Sequence, residues 1–387
     1  MIKRVVSFAL HQPLFIVLMI LLFIGGGVAA FMQLPIEAFP DVSDIQVNVI
    51  TLYPGRAPEE VEKQVTIPLE TALNGMPHAV RLFSHTQFGL SYIVVTFDDH
   101  TTDMVARQQT LERLTGVDVP PDAQPQLQPL STAIGEIFRY RVKGDGYTTR
   151  ELRTLQDWVV DRNLRGVPGV ADIDTFGGLV KTYEVNPDLA KMRYYGIALQ
   201  QLYTALGRGN ANVGGSKVTQ GSQQYLIRGV GMLHSADEIK DIVITAHNGT
   251  PVLVKDIADV TLGNLPVEGI AGQDKDDDIV FGIVDMHKGD NPSVVLKALK
   301  AKIEILNTSI LPKGVKVVPY YDRAWLISTT LHTVFENLAT GAILVTFVLL
   351  LFLGNIRAAA IVAIVIPLAL LATFIGLTWR GIPANLI

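Results

Sequence analysis

Residues 14–32 read LFIVLMILLFIGGGVAAFM, nineteen residues without a charge. At about 1.5 Å per residue, a helix of this length nearly crosses a hydrocarbon core of about 30 Å. Lys3 and Arg4 precede it, which predicts an N-terminus on the cytoplasmic side. The rival reading is a secretory signal peptide with Val28-Ala29-Ala30 as its cleavage site. Signal cores usually run about 7–15 residues, and this stretch is longer, so the spanning reading is preferred. Gly25-Gly26-Gly27 presents little surface to lipid and predicts close approach of another helix.

Two more uncharged stretches lie near the other end, at 337–356 and 358–379. Only Gly354-Asn355-Ile356-Arg357 separates their cores, which predicts a tight helical hairpin with Arg357 on the cytoplasmic side. Pro367 sits inside the third helix, where neighbouring helices can satisfy the freed carbonyl, and Trp379 suits the outer interface. The chain then runs in, out, in, out, and residues 33–337 form one large domain outside the membrane.

Charge follows the same division. Only 18% of the 387 residues are charged, against about 25% in an ordinary soluble domain. All 37 acids lie within 33–337, leaving that region at −9 and the apolar flanks at +4. An acidic middle argues against a nucleic-acid partner, which needs a basic stripe, and is compatible with handling cations. The absence of cysteine excludes a disulfide scaffold, a thiolate zinc site and a cysteine nucleophile. There is no GxxxxGK[ST] phosphate loop, no HExxH and no GxSxG, and no two of the eight histidines stand four apart. No enzyme activity and no cofactor are expected.

The outer region alternates strand and helix signals. Ile45, Val47, Val49 and Thr51 show strand period. Pro58 opens a helix with Glu59 and Glu60 in its first turn and Val61, Val65, Leu69 and Leu73 on one face. Strands at 80–84 and 91–96 and a helix at 103–114 follow. The pattern restarts with a strand at 137–142, a capping box of Thr148 and Glu151, and strands at 170–176 and 182–185 around Gly177-Gly178. It ends with a strand at 279–284, a helix opened by Asn291-Pro292 and a strand at 315–319. These predict two ferredoxin-like βαββαβ units, the second interrupted by an insert at about 189–269. Within the insert, Asn248-Gly249 signals a hairpin, and residues 209–231, rich in Gly, Ser and Gln, read as an extended arm with a short strand at 225–227.

Two acidic sets stand out. Asp274, Asp276, Asp277 and Asp278 read as a solvated turn in preference to a cation site. Glu136 opens one strand, while Asp172 and Asp174 share a face of the next by their spacing of two. That set is either an exposed sheet edge or a carboxylate cluster able to hold a divalent cation transiently. Met76, Met104, Met192, Met232 and Met286 are too scattered to suggest a thioether site for Cu(I) or Ag(I).

Several local motifs resemble the resistance-nodulation-division transporters. They are Leu34-Pro-Ile-Glu-Ala-Phe-Pro40-Asp41 after the first helix, Tyr53-Pro-Gly-Arg-Ala-Pro-Glu-Glu-Val61-Glu62, and Gly166-Val-Pro-Gly-Val170 followed by Asp172 and Gly177-Gly178. The stretches Gly289-Asp-Asn-Pro-Ser-Val294, Leu311-Pro-Lys-Gly-Val315 with Tyr321-Asp-Arg323, Phe352-Leu-Gly-Asn-Ile-Arg357 and Arg380-Gly-Ile-Pro-Ala-Asn385 resemble the heavy-metal efflux branch, of CzcA and CusA type. The resemblance runs the whole length.

It implies proton-driven export of heavy-metal cations from the bacterial inner membrane. It also implies a homotrimer that joins a periplasmic adaptor and an outer-membrane channel. The expected architecture is three transmembrane helices plus an α+β periplasmic porter domain of two ferredoxin-like units with a docking-type insert. The expected divisions are 1–33 for the N-terminus and first helix, 34–134 for the first porter subdomain, and 135–181 and 273–330 for the second. The docking-like insert covers 182–272, and the remaining helices 331–356 and 357–387. Carboxylates of the porter units line the cation site in zinc-type relatives, and Glu136 and Asp172 sit at matching places. Family members carry twelve membrane helices and a second outer domain, so the chain reads as a truncated product or a piece of a longer polypeptide, inactive alone. The alternatives are a membrane-anchored periplasmic binding or sensor protein, a protein-export accessory, and a multidrug-type pump fragment.

Overall fold

The structure, a computed structural model, describes residues 11–34, 36–37, 41–247, 249–267, 269–382 and 384–385. Lys3, Arg4, Pro35, residues 38–40, Asn248 and Pro383, all used in the sequence reading, lie outside them. The chain divides into two compact units. One comprises Met1–Asp145, Gln156–Thr175 and Phe281–Ile387, the other Gly146–Leu155 and Phe176–Val280.

The first unit opens with helix α1 (Pro13–Gln33). A first sheet then forms from β1 (Ile45–Leu52), β2 (Ala79–Gln87), β3 (Leu90–Phe97) and β4 (Gln124–Leu127), with α2 (58–73) and α3 (Asp103–Leu114) in the connections. Its order is β2-β3-β1-β4, and the pairs β2–β3, β3–β1 and β1–β4 are antiparallel. Period two buries Val47, Val49 and Thr51 of β1. Val47 and Val49 share a core with Val61, Val65, Leu69 and Leu73 from the apolar face of α2. The Thr102 hydroxyl caps α3 by accepting from the Val105 amide at 3.4 Å.

A second sheet forms from β5 (Glu136–Gly144), β6 (Val170–Phe176), β7 (Val280–Met286) and β8 (Val315–Asp322), in the order β8-β5-β7-β6. Helix α4 (156–164 in this unit) follows β5, and α5 (292–310) follows β7, capped by the Asn291 side chain on the Ser293 amide. Both sheets place their own fourth, first, third and second strands side by side. Expectation and structure part at 182–185. The strand there, Lys181–Pro187, is not in this sheet and pairs with Ala258–Asn264 in the second unit. Gly177 and Gly178 both adopt left-handed φ, +69° and +68°, and turn the chain away from β6. A Cβ on Gly177 would lie 1.9 Å from the Ile279 carbonyl oxygen, so no other residue fits that turn.

The second unit holds its own core of Met192, Leu202, Val254, Ile257 and Val260. The capping box forms as expected, Thr148 and Glu151 bonding each other's amides at 2.8 and 3.3 Å. Residues 209–231, read as an arm with one short strand, contain a two-stranded antiparallel ribbon, Val213–Gln220 with Gln223–Gly229. Gly, Ser and Gln carry no period-two apolar signal, and Leu226 is exposed, so pairing rests on the backbone alone.

Helices α1, α6 (Arg323–Leu353) and α7 (Ile356–Arg380) are long and apolar enough to cross a membrane, and their apolar side chains are mostly uncovered in the chain. A Cβ on Gly27 would meet Leu371 Cβ at 2.6 Å, so this glycine sets the contact of α1 with α7. Gly25 and Gly26 face open space, so only one of the three glycines serves the expected approach. Phe31 packs against Phe335 and Phe374 at centroid distances of 5.8 and 4.9 Å. Gly354, at φ +59°, ends α6, and the Asn355 side chain accepts from the Arg357 amide at 3.0 Å to start α7.

Candidate cation site

In the first unit a cleft of about 590 Å³ opens where the start of β1 meets one end of the second sheet. Gln46 and Asn48 line it from β1, Glu136 from β5, Asp174 from β6 and Asp285 from β7, with Asp44, Asp103 and Lys288 among the other lining residues. Strand alternation places these acids. Ile137, Ile173 and Val284 are buried, and the neighbours of opposite phase, Glu136, Asp174 and Asp285, point the other way. Asp285 is also buried, at 9% exposure.

The charges are unevenly paired. Glu136 pairs with Arg139, and the Arg323 guanidinium donates to the Glu136 carbonyl at 2.8 Å. Lys288 reaches Asp103 at 3.3 Å. Asp172 is held by Arg165, which also binds Asp161 at 3.0 Å, and Asp172 Oδ1 accepts from the Ile173 amide at 2.7 Å. Asp174 opens toward the cleft, but the protein walls and then the charges of Asp172 and Glu136 raise its pKa against the pull of Arg165. Asp285 is pushed up to about 7, first by burial and then by Asp174, Glu136 and Asp172, with Arg139 opposing. Among the described residues its Oδ1 has no hydrogen-bond partner.

Of the two acids singled out from sequence, Glu136 lines the cleft. Asp172 does not, although its charge raises the pKa of both Asp174 and Asp285. Asp285 escaped the sequence reading. Its one signal was a lone acid at the end of an otherwise apolar strand, Phe281-Gly-Ile-Val-Asp285-Met. The run 274–278 forms an exposed turn, with Asp274 at φ +57° and Gln273 bridged to Asp276. Met76 and Met192 are buried in separate cores. Among the described residues, no three His, Asp or Glu side chains stand close enough to hold a bare metal ion.

Residues 5–387 match the AcrB/AcrD/AcrF family, and the chain belongs to it. The cation efflux system protein CzcA of Alcaligenes sp. (strain CT14) is 40% identical across 100% of this chain and 37% of its own length. The cobalt-zinc-cadmium resistance protein CzcA of Cupriavidus metallidurans is 39% identical with the same coverage. CusA of Escherichia coli K12, also a cation efflux system protein, is 36% identical over 96% of this chain and 36% of its own. A crystal structure of a heavy metal efflux pump superposes with a TM-score of 0.91 at 42% identity, covering 99% of this chain and 39% of that one. The chain thus spans a little over a third of the length of these relatives.

Proposed function

We propose that these residues belong to a proton-driven efflux pump that exports divalent metal cations such as zinc, cobalt, nickel or cadmium. The observation that carries the reading is the carboxylate-lined cleft of Glu136, Asp174 and Asp285 in a chain whose relatives are cation efflux proteins. Carboxylates suit borderline and harder ions. Glu136 and Asp172 contribute to the cation path, Glu136 as a wall of the cleft and Asp172 through its field on Asp174.

The shared strand order supports two ferredoxin-like porter units, 34–134 and 135–181 with 273–330, and a docking-type insert at 182–272. The pump sits in the bacterial inner membrane with residues 33–337 in the periplasm. It works as a homotrimer with a periplasmic adaptor and an outer-membrane channel. Residues 14–32 and 337–380 contain no Asp or Glu, and Glu336, in α6 immediately before the second stretch, is the carboxylate nearest to it.

In a full-length pump containing this chain, Glu136→Gln combined with Asp172→Asn should lower tolerance to zinc and cobalt at equal expression. Unchanged tolerance would remove both residues from the path.

A further inference from the structure

The two sheets of the first unit are built as separate modules. No strand of one pairs with a strand of the other. The core of the first draws on residues 45–127 alone, among them Val47, Val65, Leu69, Ile93 and Ala106. Bodies joined without a large apolar interface move relative to one another unless something fixes the angle between them. The covalent link is residues 128–135. At its start the Gln128 amide donates to the Asn48 carbonyl of β1 at 2.9 Å. At its end Gly135 lies against β7, where a Cβ would stand 3.1 Å from the Met286 carbonyl oxygen. The residues left to turn are 129–134.

Lys288 crosses from the second-sheet module twice. Its amide donates to the Leu130 carbonyl at 3.3 Å, and its Nζ reaches Asp103 Oδ1 at 3.3 Å. Both ends of the ion pair are held. Lys288 follows β7 in a turn fixed by the His287 amide on the Gly169 carbonyl at 3.0 Å and the Asp290 amide on the His287 carbonyl at 3.2 Å. Asp103 is the first residue of α3, where the helix dipole favours an acid. One turn on, Arg107 donates to the Gln128 carbonyl at 2.6 Å and ties α3 to the start of the link. The two side chains are only 19% and 27% exposed, so water and salt screen the pair less than they would a surface pair. Lys288 and Asp103 both stand in the wall of the cleft between the modules.

We propose that Lys288 is a clasp that sets the angle between the two sheet modules. Closed on Asp103, it holds the cleft at its present width. Released, it lets the modules hinge about residues 129–134. The clasp does not depend on what the cleft binds.

The test is the distance between nitroxide labels on the 387-residue chain in nanodiscs. Glu112→Cys in α3 and Lys297→Cys in α5 supply exposed attachment points in a chain without native cysteine. With the clasp intact this pair should give one narrow distribution. Lys288→Met and Asp103→Asn should each spread it to longer distances. The double variant should spread it no further than either, because both remove the same interaction. Lys288→Arg, which keeps the charge, should leave it narrow. A second label pair, Glu59→Cys with Glu112→Cys, lies within the first-sheet module and should stay narrow throughout. If Lys288→Met and Asp103→Asn leave the 112–297 distribution unchanged, the clasp does not set the angle and the inference fails. If the 59–112 distribution spreads as well, Lys288 supports the fold and not the angle, and the inference also fails. Additive effects in the double variant would show that the two residues act separately, which overturns it too.

Discussion

At the scale of single residues, Asp285 couples the site to stability. Its pKa in the folded chain is raised to about 7, so the folded state keeps a proton that the unfolded state has released. Between about pH 4 and 7 the unfolded state therefore binds fewer protons, and stability falls as pH rises through that window. Above it the loss is complete. Asp285→Asn removes a charge that burial disfavours, so the variant should melt above the native chain at pH about 8, with the gap closing toward pH about 4. Thermal unfolding across that range checks it, and a gap that widens on acidification would contradict the assignment. Asp172 shows the opposite situation, a carboxylate satisfied by Arg165 and a backbone amide, and spacing along β6 does not distinguish it from Asp174 two residues on.

Elements carry a different kind of information. The apolar periodicity of α2 placed Val61, Val65, Leu69 and Leu73 on one face, and all four are buried. The widened π-type turn at Glu62–Thr66 within that helix left no mark in the sequence. Among the membrane helices, the contact between α1 and α7 hangs on Gly27, where Leu371 fills the space a side chain would need. Thr378 Oγ1 donates to the Ala30 carbonyl at 3.4 Å one turn further along. With no native cysteine, a pair introduced at Ala30 and Thr378 should form a disulfide on oxidation. Gly27→Leu should suppress that disulfide, because the two backbones can no longer approach. Equal yields on a denaturing gel would show that the helices meet some other way.

For the whole molecule, orientation in the membrane is the prediction with the widest reach. Arg357 in the first turn of α7, and Lys3 with Arg4 ahead of residue 14, predict that those ends face the cytoplasm. A cysteine at Ser222, in the tight turn of the exposed ribbon, should then react with a membrane-impermeant maleimide from outside the inner membrane. A cysteine at Asn355 should react only after the membrane is opened. Reversed labelling would invert the topology and contradict the proposed function.

The three long apolar helices, the hairpin of the last two, the acidic middle and the succession of strands and helices were legible in the sequence. Each depends on local quantities: the length of an uncharged run, a period of two or 3.6, a cap or a turn residue. Which strands lie side by side was not local. Residues 182–185 carry as good a strand pattern as 280–286, and the left-handed turn at Gly177-Gly178 sends them elsewhere. The candidate site followed the same division. Glu136 and the acids of β6 could be named from spacing. Asp285 joins them from a strand more than a hundred residues further on, because β7 enters the sheet beside β5 and β6. A carboxylate's burial and the charges it faces are sums over neighbours that only tertiary pairing brings together.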